Sequence, residues 1–353
     1  MSQCRVVLFG DPQGIPQLLP SLRGDAEIVA LVQASIRPAQ RAELSTFANA
    51  VAAPLLRQPL PRAADYQGFL EDLKTLKPDL FVINSYSMIL HPDLLTVPAR
   101  GTINIHGALL PQYRGANVTE WALINEERVS GVTMHVVDAG VDTGPIIGQI
   151  AVLLDFEDTW TDVRRRINEA TRELIAEHMP HVLAGDYSAS PQGEGRHWPR
   201  RSAKDGCFHW QQPLRQIYNL VRALISPHPG VSWMDPDGTA GTLDRWASLA
   251  ELAVMKASRA GGWNYPDVQL LPKPPLPEAR RREANSTMAF DVRNVSAASC
   301  GTVTVRDIDC YGRSAAFELC GCENVAEQAT FALTMFLRDE LQIEHVKRIA
   351  ALH

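Results

Sequence analysis

The sequence is poor in several features that would fix its class at once. Its 353 residues contain six cysteines, at positions 4, 207, 300, 310, 320 and 322, with no Cys-x-x-Cys pair among them. Thiolates suit zinc, and Cys310, Cys320 and Cys322 are the three that a zinc site would draw on. Cys310, Cys320 and Cys322 are read as small apolar residues of a reduced chain, and no metal is expected. No stretch approaches the ~20 consecutive apolar residues of a membrane span. The chain opens on Met-Ser-Gln-Cys-Arg and runs straight into a strand-like segment, without the apolar core of a signal peptide, so a cytoplasmic protein is expected. Net positive charge is lacking too. A formal charge of −6 argues against an extended nucleic-acid footprint. The first βα turn, Gly10-Asp11-Pro12-Gln13-Gly14, is not Gly-x-Gly-x-x-Gly and receives no dinucleotide. No internal repeat is evident.

What is present is an ordinary globular composition, 45% apolar and 21% charged, in a chain long enough for two or three domains. Residues 5–10 form a short apolar run ending in glycine, 15–22 a helix, and 27–32 a second buried strand. This β-α-β opening predicts a doubly wound, mostly parallel Rossmann-like α/β sheet. Residues 35–64 read as loops around one short helix and a strand. A helix over 64–76 carries Phe69, Leu70, Leu73 and Leu76 on one face, and 79–84 is a central strand. The polar loop 85–90 lies beyond its carboxyl end, where ligands of such sheets sit. A long helix is expected over 158–183, with Arg164, Arg165 and Arg166 largely off its apolar stripe, as a solvated face.

The chain is organised around residues 101–149. Thr102-Ile103-Asn104-Ile105-His106 places an amide and an imidazole at alternate positions, on the same side of a strand. A second alternating strand, 132–137, leads to Asp138-Ala139-Gly140-Val141-Asp142-Thr143-Gly144. An amide, an imidazole and one or two carboxylates at two strand ends are the inventory for acid–base chemistry and for holding an oxyanion. Near the apolar Ile103 and Leu110, the Asp142 carboxyl is expected to titrate higher than usual. His135 is read as a satisfied core histidine.

Asn104-x-His106, then Leu109-Leu110-Pro111-x-Tyr113-Arg114-Gly115, then Gly131-Val132-Thr133 and Asp142-Thr143-Gly144, resembles the folate-dependent formyltransferase family. The resemblance implies N10-formyltetrahydrofolate as formyl donor, with catalytic roles for Asn104, His106 and Asp142. It also implies that the loop at Met88, Ile89 and Leu90 grips the pterin through main-chain atoms. Asp138, Gly140 and Val141 complete the expected folate side. Which of His106 and Asp142 takes the proton stays open.

Residues 198–230, from Trp198 through Asp205-Gly206 and Ile217-Tyr218-Asn219 to Pro229-Gly230, also resemble the family, nearest to members that formylate amino sugars on nucleotide carriers. A nucleotide-linked amino sugar is therefore the expected acceptor, ahead of an amino-acid-derived amine and of Met-tRNA. Arg114 and Tyr113 are candidates for steering it. Trp198, Arg200 and Arg201, with Trp210 and Trp233, are candidates for stacking on a base and pairing with a diphosphate. A hydrolase using water as acceptor and a non-catalytic folate-binding module are the competing readings. The expected partners are a small amine and, for the chain itself, a second copy in a homodimer; no membrane and no nucleic acid are expected.

The expected organisation is a catalytic domain over 1–190, a connector and C-terminal subdomain over 191–265, a proline-rich linker over 266–282, and a smaller α+β tail over 283–353. In the tail, strands are predicted over 289–292, 302–305 and 315–319 and a helix over 326–351. The tail matches no small barrel of the kind usual in transfer-RNA-directed members.

Overall fold

A computed structural model describes residues 3–256, apart from 237, 246, 248–251 and 253–254, together with the backbone of five later strands. Two compact units divide the chain, Met1–Ser202 and Ala203–His353.

In the first unit the order is β1 (Cys4–Gly10), α1 (Ile15–Leu22), β2 (Ala26–Ala34), α2 (Arg41–Ala50), β3 (Leu55–Gln58), α3 (Tyr66–Thr75), β4 (Leu80–Asn84), α4 (Pro92–Leu95), β5 (Thr102–His106), β6 (Arg114–Gly115), α5 (Val118–Ile124), β7 (Val129–Val136), β8 (Ile146–Leu153), α6 (Trp160–Ala184) and β9 (His197–Trp198). Seven strands form one sheet in the order β3-β2-β1-β4-β5-β7-β8. The first five run parallel; β7 and β8 turn the sheet antiparallel at its far edge. This is the mostly parallel Rossmann-like architecture expected from the alternating elements.

Strand order decides which face each helix covers. The chain moves one way from β1 to β3 and the other way from β3 to β5. Right-handed crossovers therefore put α1 and α2 on one face and α3 and α4 on the other. Phe81 and Ile83 of β4 pack with Tyr66, Phe69, Leu70 and Leu73 of α3 and with Leu94 of α4. Helix α6 packs on α1, β7 and β8, and so belongs to the α1 face. Its start is fixed by a capping box, in which Thr159 and Asp162 satisfy each other's backbone N–H groups. Its end is fixed by Gly185, with φ of 77°. The apolar core of β1 and β4 is buried on both faces, which is why these strands read as continuous apolar runs rather than alternating ones.

The second unit contains β10 (Cys207–Phe208), α7 (Leu214–Ala223), β11 (Val231–Met234) and β12 (Ala240–Leu243). Its strands β10, β11 and β12 form a small sheet, in that order. Phe208, Trp210 and Trp233 cluster beside it, with ring centroids 5.0–5.9 Å apart. Farther along are β13 (Val268–Leu271), β14 (Phe290–Arg293), β15 (Thr302–Thr304), β16 (Ala316–Leu319) and β17 (Ile349–Leu352). Strands β14, β15 and β16 fall where alternation in the tail predicted them. Two expectations need correction. Strand β13 lies inside the stretch read as a linker: Val268, Leu270 and Leu271 pair with β16 despite the prolines around them. The predicted terminal helix ends in a strand, because Ile349–Leu352 pairs with β14. Residues 326–348 of that helix, Trp246 and Cys300, Cys310, Cys320 and Cys322 lie outside the described residues. Among the described residues, no helix is long and apolar enough to cross a membrane and no cluster of side chains is fit to hold a metal ion.

Candidate active site

Strand β5 pairs with β4 so that Asn104 lies beside Ile83, and with β7 so that Asn104 lies opposite His135 and His106 opposite Thr133. Side chains in register share a face. Asn104, His106 and His135 therefore all project on the α3 face of the sheet, beyond the reach of α3 itself. Two loops fold over this face. One runs from His106 to Gly115; the other, between β7 and β8, carries Asp142. The polar residues thus meet on the sheet surface near the carboxyl end of β5, rather than at two strand ends.

Asp142 is the hub. Its Oδ1 accepts from Asn104 Nδ2 at 3.3 Å, and its Oδ2 accepts from the Gly115 backbone N–H at 2.9 Å. His106 Nδ1 lies 3.6 Å from Oδ2, and His135 Nε2 lies 3.6 Å from Oδ1. Its backbone is left-handed, with φ of 54°, which an aspartate adopts more readily than most residues. Gln192 holds the loop in place: its Nε2 donates to Asp142 O at 3.0 Å and to Gly144 O at 2.6 Å.

The imidazole tautomers follow from their carbonyl partners. A carbonyl only accepts, so His106 Nε2, 2.6 Å from Tyr113 O, carries the hydrogen. That leaves a lone pair on Nδ1, facing Asp142. His135 Nδ1 donates to Val136 O at 2.9 Å, so its Nε2 accepts from Asn104 Nδ2 at 3.1 Å. His135 is buried and satisfied, as a core histidine should be, yet it also orients the Asn104 amide. Sequence alternation put it on a buried face. The antiparallel register that sets it opposite Asn104 was the missing information.

Burial holds His106 below the ordinary imidazole range, against the opposing pull of Asp142 and the Tyr113 carbonyl. For Asp142 the expected rise is not what the structure gives. Burial does push its carboxyl up, but the His106 and His135 rings and the Gly115 N–H outweigh it, and the net direction is well below the ordinary carboxylate range. The two shifts pull against each other, since a charged ring would depress Asp142 while burial keeps His106 neutral. The ionised Asp142 is the firmer of the two, because the Gly115 N–H and the Asn104 amide donate to it whatever the charge on the rings.

The other sequence candidates divide. Ile89 is 72% exposed on the loop after β4, and Gln58 Nε2 donates to its carbonyl at 3.4 Å. Met88 Sδ takes the Ser35 hydroxyl at 3.6 Å, while Leu90 is buried in the core beneath α3. Asp138 Oδ1 accepts from Gly140 N at 3.0 Å and Thr143 Oγ1 at 2.6 Å, so its carboxylate closes the turn that carries Val141. A β-carbon on Gly140 would run into the Thr143 hydroxyl. Tyr113 gives its carbonyl to His106, and its hydroxyl donates to Glu127 at 2.7 Å. Arg114 places Nε and Nη2 on Gln192 Oε1, at 3.1 and 2.8 Å, and Nη2 also on Gly193 O. Trp198 is buried, stacked on Tyr113 at 5.3 Å, with the Arg196 guanidinium 3.8 Å over its ring. Both of its faces are covered, and it has no face left for a base. Arg200 is exposed and reaches Ser87 O at 3.4 Å; the Arg201 backbone N–H donates to Asn117 Oδ1 at 3.0 Å. Trp210 and Trp233 belong to the aromatic cluster of the second unit.

The amino-acid sequence matches a family model described as "Formyl transferase" over residues 5–179. It is 32% identical over 225 residues to a methionyl-tRNA formyltransferase of Thermodesulfovibrio yellowstonii, covering 62% of this chain and 72% of that protein. Among solved structures, a sugar N-formyltransferase from a Shewanella species matches with a TM-score of 0.58 at 18% identity, over 69% of this chain and 98% of that one. An N-formyltransferase from Helicobacter canadensis, solved in complex with folinic acid and dTDP-3-aminofucose, matches with a TM-score of 0.56 at 14% identity, over 90% and 100%. At those identities the two structures speak for the fold.

Proposed function

Given that this chain belongs to the formyl transferase family, we propose that it moves the formyl group of N10-formyltetrahydrofolate to a primary amine, and that the amine is carried by a nucleotide-linked sugar. The observation that carries the transfer is the convergence of Asn104, His106 and Asp142 on one small patch of sheet. The folate supplies an activated carbonyl carbon. In the reaction the amine nitrogen bonds to that carbon, the carbon–N10 bond breaks, the amine loses a proton and N10 gains one.

The residues divide these tasks. The Asn104 amide donates one N–H to His135 and the other, more loosely, to Asp142. The looser one, at 3.3 Å, is the donor that turns to the developing oxyanion, a contribution of ~3 kcal/mol for one such donor. His106 keeps its hydrogen on Nε2, so Nδ1 is free to receive the amine's proton. Asp142, ionised and 3.6 Å away, stabilises the imidazolium that results. Asp142 is thereby assigned as a stabilising carboxylate and His106 as the base. The side chain of Ile89, exposed on the loop beyond β4, suits contact with a flat pterin ring.

The acceptor assignment is supported by the sugar N-formyltransferases that share the fold. The 32% identity to a methionyl-tRNA formyltransferase favours a second reading, with Met-tRNA as acceptor. Incubation with N10-formyltetrahydrofolate and either dTDP-linked amino sugars or Met-tRNA separates the two by which amine drives tetrahydrofolate release. Release that needs no amine defeats both. In either case Asn104→Ala and His106→Ala should lower turnover by ~100-fold or more with the fold intact. Rates like those of the unaltered protein in both variants would remove the assignment.

A further inference from the structure

The three consecutive arginines of α6 do not share one environment. Arg165 pairs with Glu169 on the helix surface, at 3.1 Å, and Arg166 pairs with Asp155 and Asp158. Arg164 instead turns toward the carboxyl end of the sheet. Its Nη2 donates to Ser85 Oγ at 3.3 Å, just beyond β4. Its Nη1 lies close to Gly107, where a β-carbon would stand 3.6 Å from it. Gly107 directly follows His106. The Nε of Arg164 is buried and has no hydrogen-bond partner, and among the described residues no carboxylate forms a salt bridge with it.

Asp11, just past β1, feels the Arg164 charge without a salt bridge to it, and its Oδ1 accepts from the N–H groups of Gln13 and Gly14, at 3.0 and 2.8 Å. The Asn84 side chain donates to Gly14 O at 3.1 Å, and a β-carbon on Gly14 would run into the Asn84 carbonyl. The β1 turn is thus locked against the end of β4, at the point where strand order reverses. In open α/β sheets this is the crevice that receives ligands. A guanidinium held there with one modest hydrogen bond and an orphaned N–H is a cation in want of an anion.

Its direction of approach matters as much. Ile89 and the Asp142 loop lie with Asn104 on the α3 face, whereas Arg164 reaches the rim from α6 on the α1 face. An anion on Arg164 therefore sits across the sheet's edge from the folate side, one residue from His106.

We propose that Arg164 anchors the acceptor by an oxyanion, a phosphate or a carboxylate, carried on the same molecule as the amine that is formylated. This rests on the formyl-transfer reading and adds to it where the acceptor's anion is held, over the rim at Ser85 and Gly107.

The test is steady-state kinetics of Arg164→Ala and Arg164→Lys, with Arg165→Ala as control, on a diphosphate-linked amino sugar and on the same amino sugar without phosphate. Arg164→Ala should raise KM for the phosphorylated acceptor about thirtyfold, the size expected when one partner of a buried charged pair is removed. The lysine variant should recover part of that loss. KM for N10-formyltetrahydrofolate and kcat/KM for the uncharged sugar should change less than about twofold, as should every constant in Arg165→Ala. An unchanged acceptor KM overturns the proposal. So does a rise in the folate KM alone, which would make Arg164 only a brace for the Ser85 loop. Calorimetric titration with inorganic pyrophosphate keeps the two readings apart. If no amine is formylated, the formyl-transfer reading fails, and pyrophosphate binding by the unaltered protein but not by Arg164→Ala still supports the anion site. Equal binding by both overturns it.

Discussion

Asn104 and His135 face each other across the antiparallel β5–β7 pair, with 3.1 Å between the amide nitrogen and Nε2. The ring hydrogen on the far nitrogen is held by Val136 O, so Nε2 can only accept. The amide of Asn104 is thereby turned one way. In the proposed mechanism His135 does not touch the reacting atoms; it positions Asn104, which does. His135→Phe should lower kcat about tenfold while both KM values change little, and His135→Gln should restore part of the rate, because its side chain can still accept. Steady-state kinetics of the two variants check this; equal rates in both would leave His135 a packing residue only.

The response to pH follows from His106. Its folded pKa lies below its unfolded value of about 6.5, so the unfolded chain binds the proton more readily. Stability should be full above that value and decline as pH falls through it toward the folded pKa. Asp142 works in the same direction at lower pH: its carboxylate contributes stability above about 3.9 that is lost as pH falls toward its depressed folded value. Thermal melts between pH 7.5 and about 5 should show the His106 decline, and His106→Asn should flatten it. A melting profile that rises on acidification would contradict the burial of a neutral ring.

Trp198 tests packing against recognition. Stacked on Tyr113, covered by Arg196 and bonded through Nε1 to Gln112 O at 3.2 Å, it is a core residue of the loop layer over the site. Trp198→Ala should destabilise the protein by about 3–5 kcal/mol, read from denaturant unfolding. Unchanged stability with a weakened acceptor KM would instead return Trp198 to the role of a base-stacking platform.

Gly115 couples backbone geometry to the hub. Its φ is 99°, and a β-carbon there would run into the Trp198 carbonyl, against which β6 pairs with β9. Gly115→Ala should cost about 1–3 kcal/mol of stability from strain. It should also lower kcat, because relieving the clash shifts the N–H that donates to Asp142 Oδ2. A stability loss without a rate loss would show that the strain leaves the N–H in place on Asp142.

The sheet was legible because its signals are local. Glycine ends β1, apolar runs mark the doubly buried strands, and the stripe Val163, Ile167, Ala170, Leu174 marks α6. Asn104, His106 and Asp142 were legible through their ordered spacing. What could not be read was anything set by register or by a distant segment. Asp142 titrates low because of side chains from two strands and an N–H from a loop 27 residues earlier. Trp198 reads as a free aromatic in a Gly- and Pro-rich stretch, until the pairing of β6 with β9 covers it. Arg164 looks like one of three surface arginines, since helical periodicity says which side chains leave the apolar stripe but not where the sheet's rim lies.

Gln192 grips Asp142 and Gly144 through one end of its amide and Arg114 through the other. The stretch that follows α6 is thus a buckle across both loops over the site, although composition marks it as mere tether. A chimaera that joined this catalytic sheet to a foreign C-terminal part anywhere before residue 192 would undo the buckle and let the carboxylate drift. Grafts made after Ser202, where the first compact unit closes, would carry it along intact.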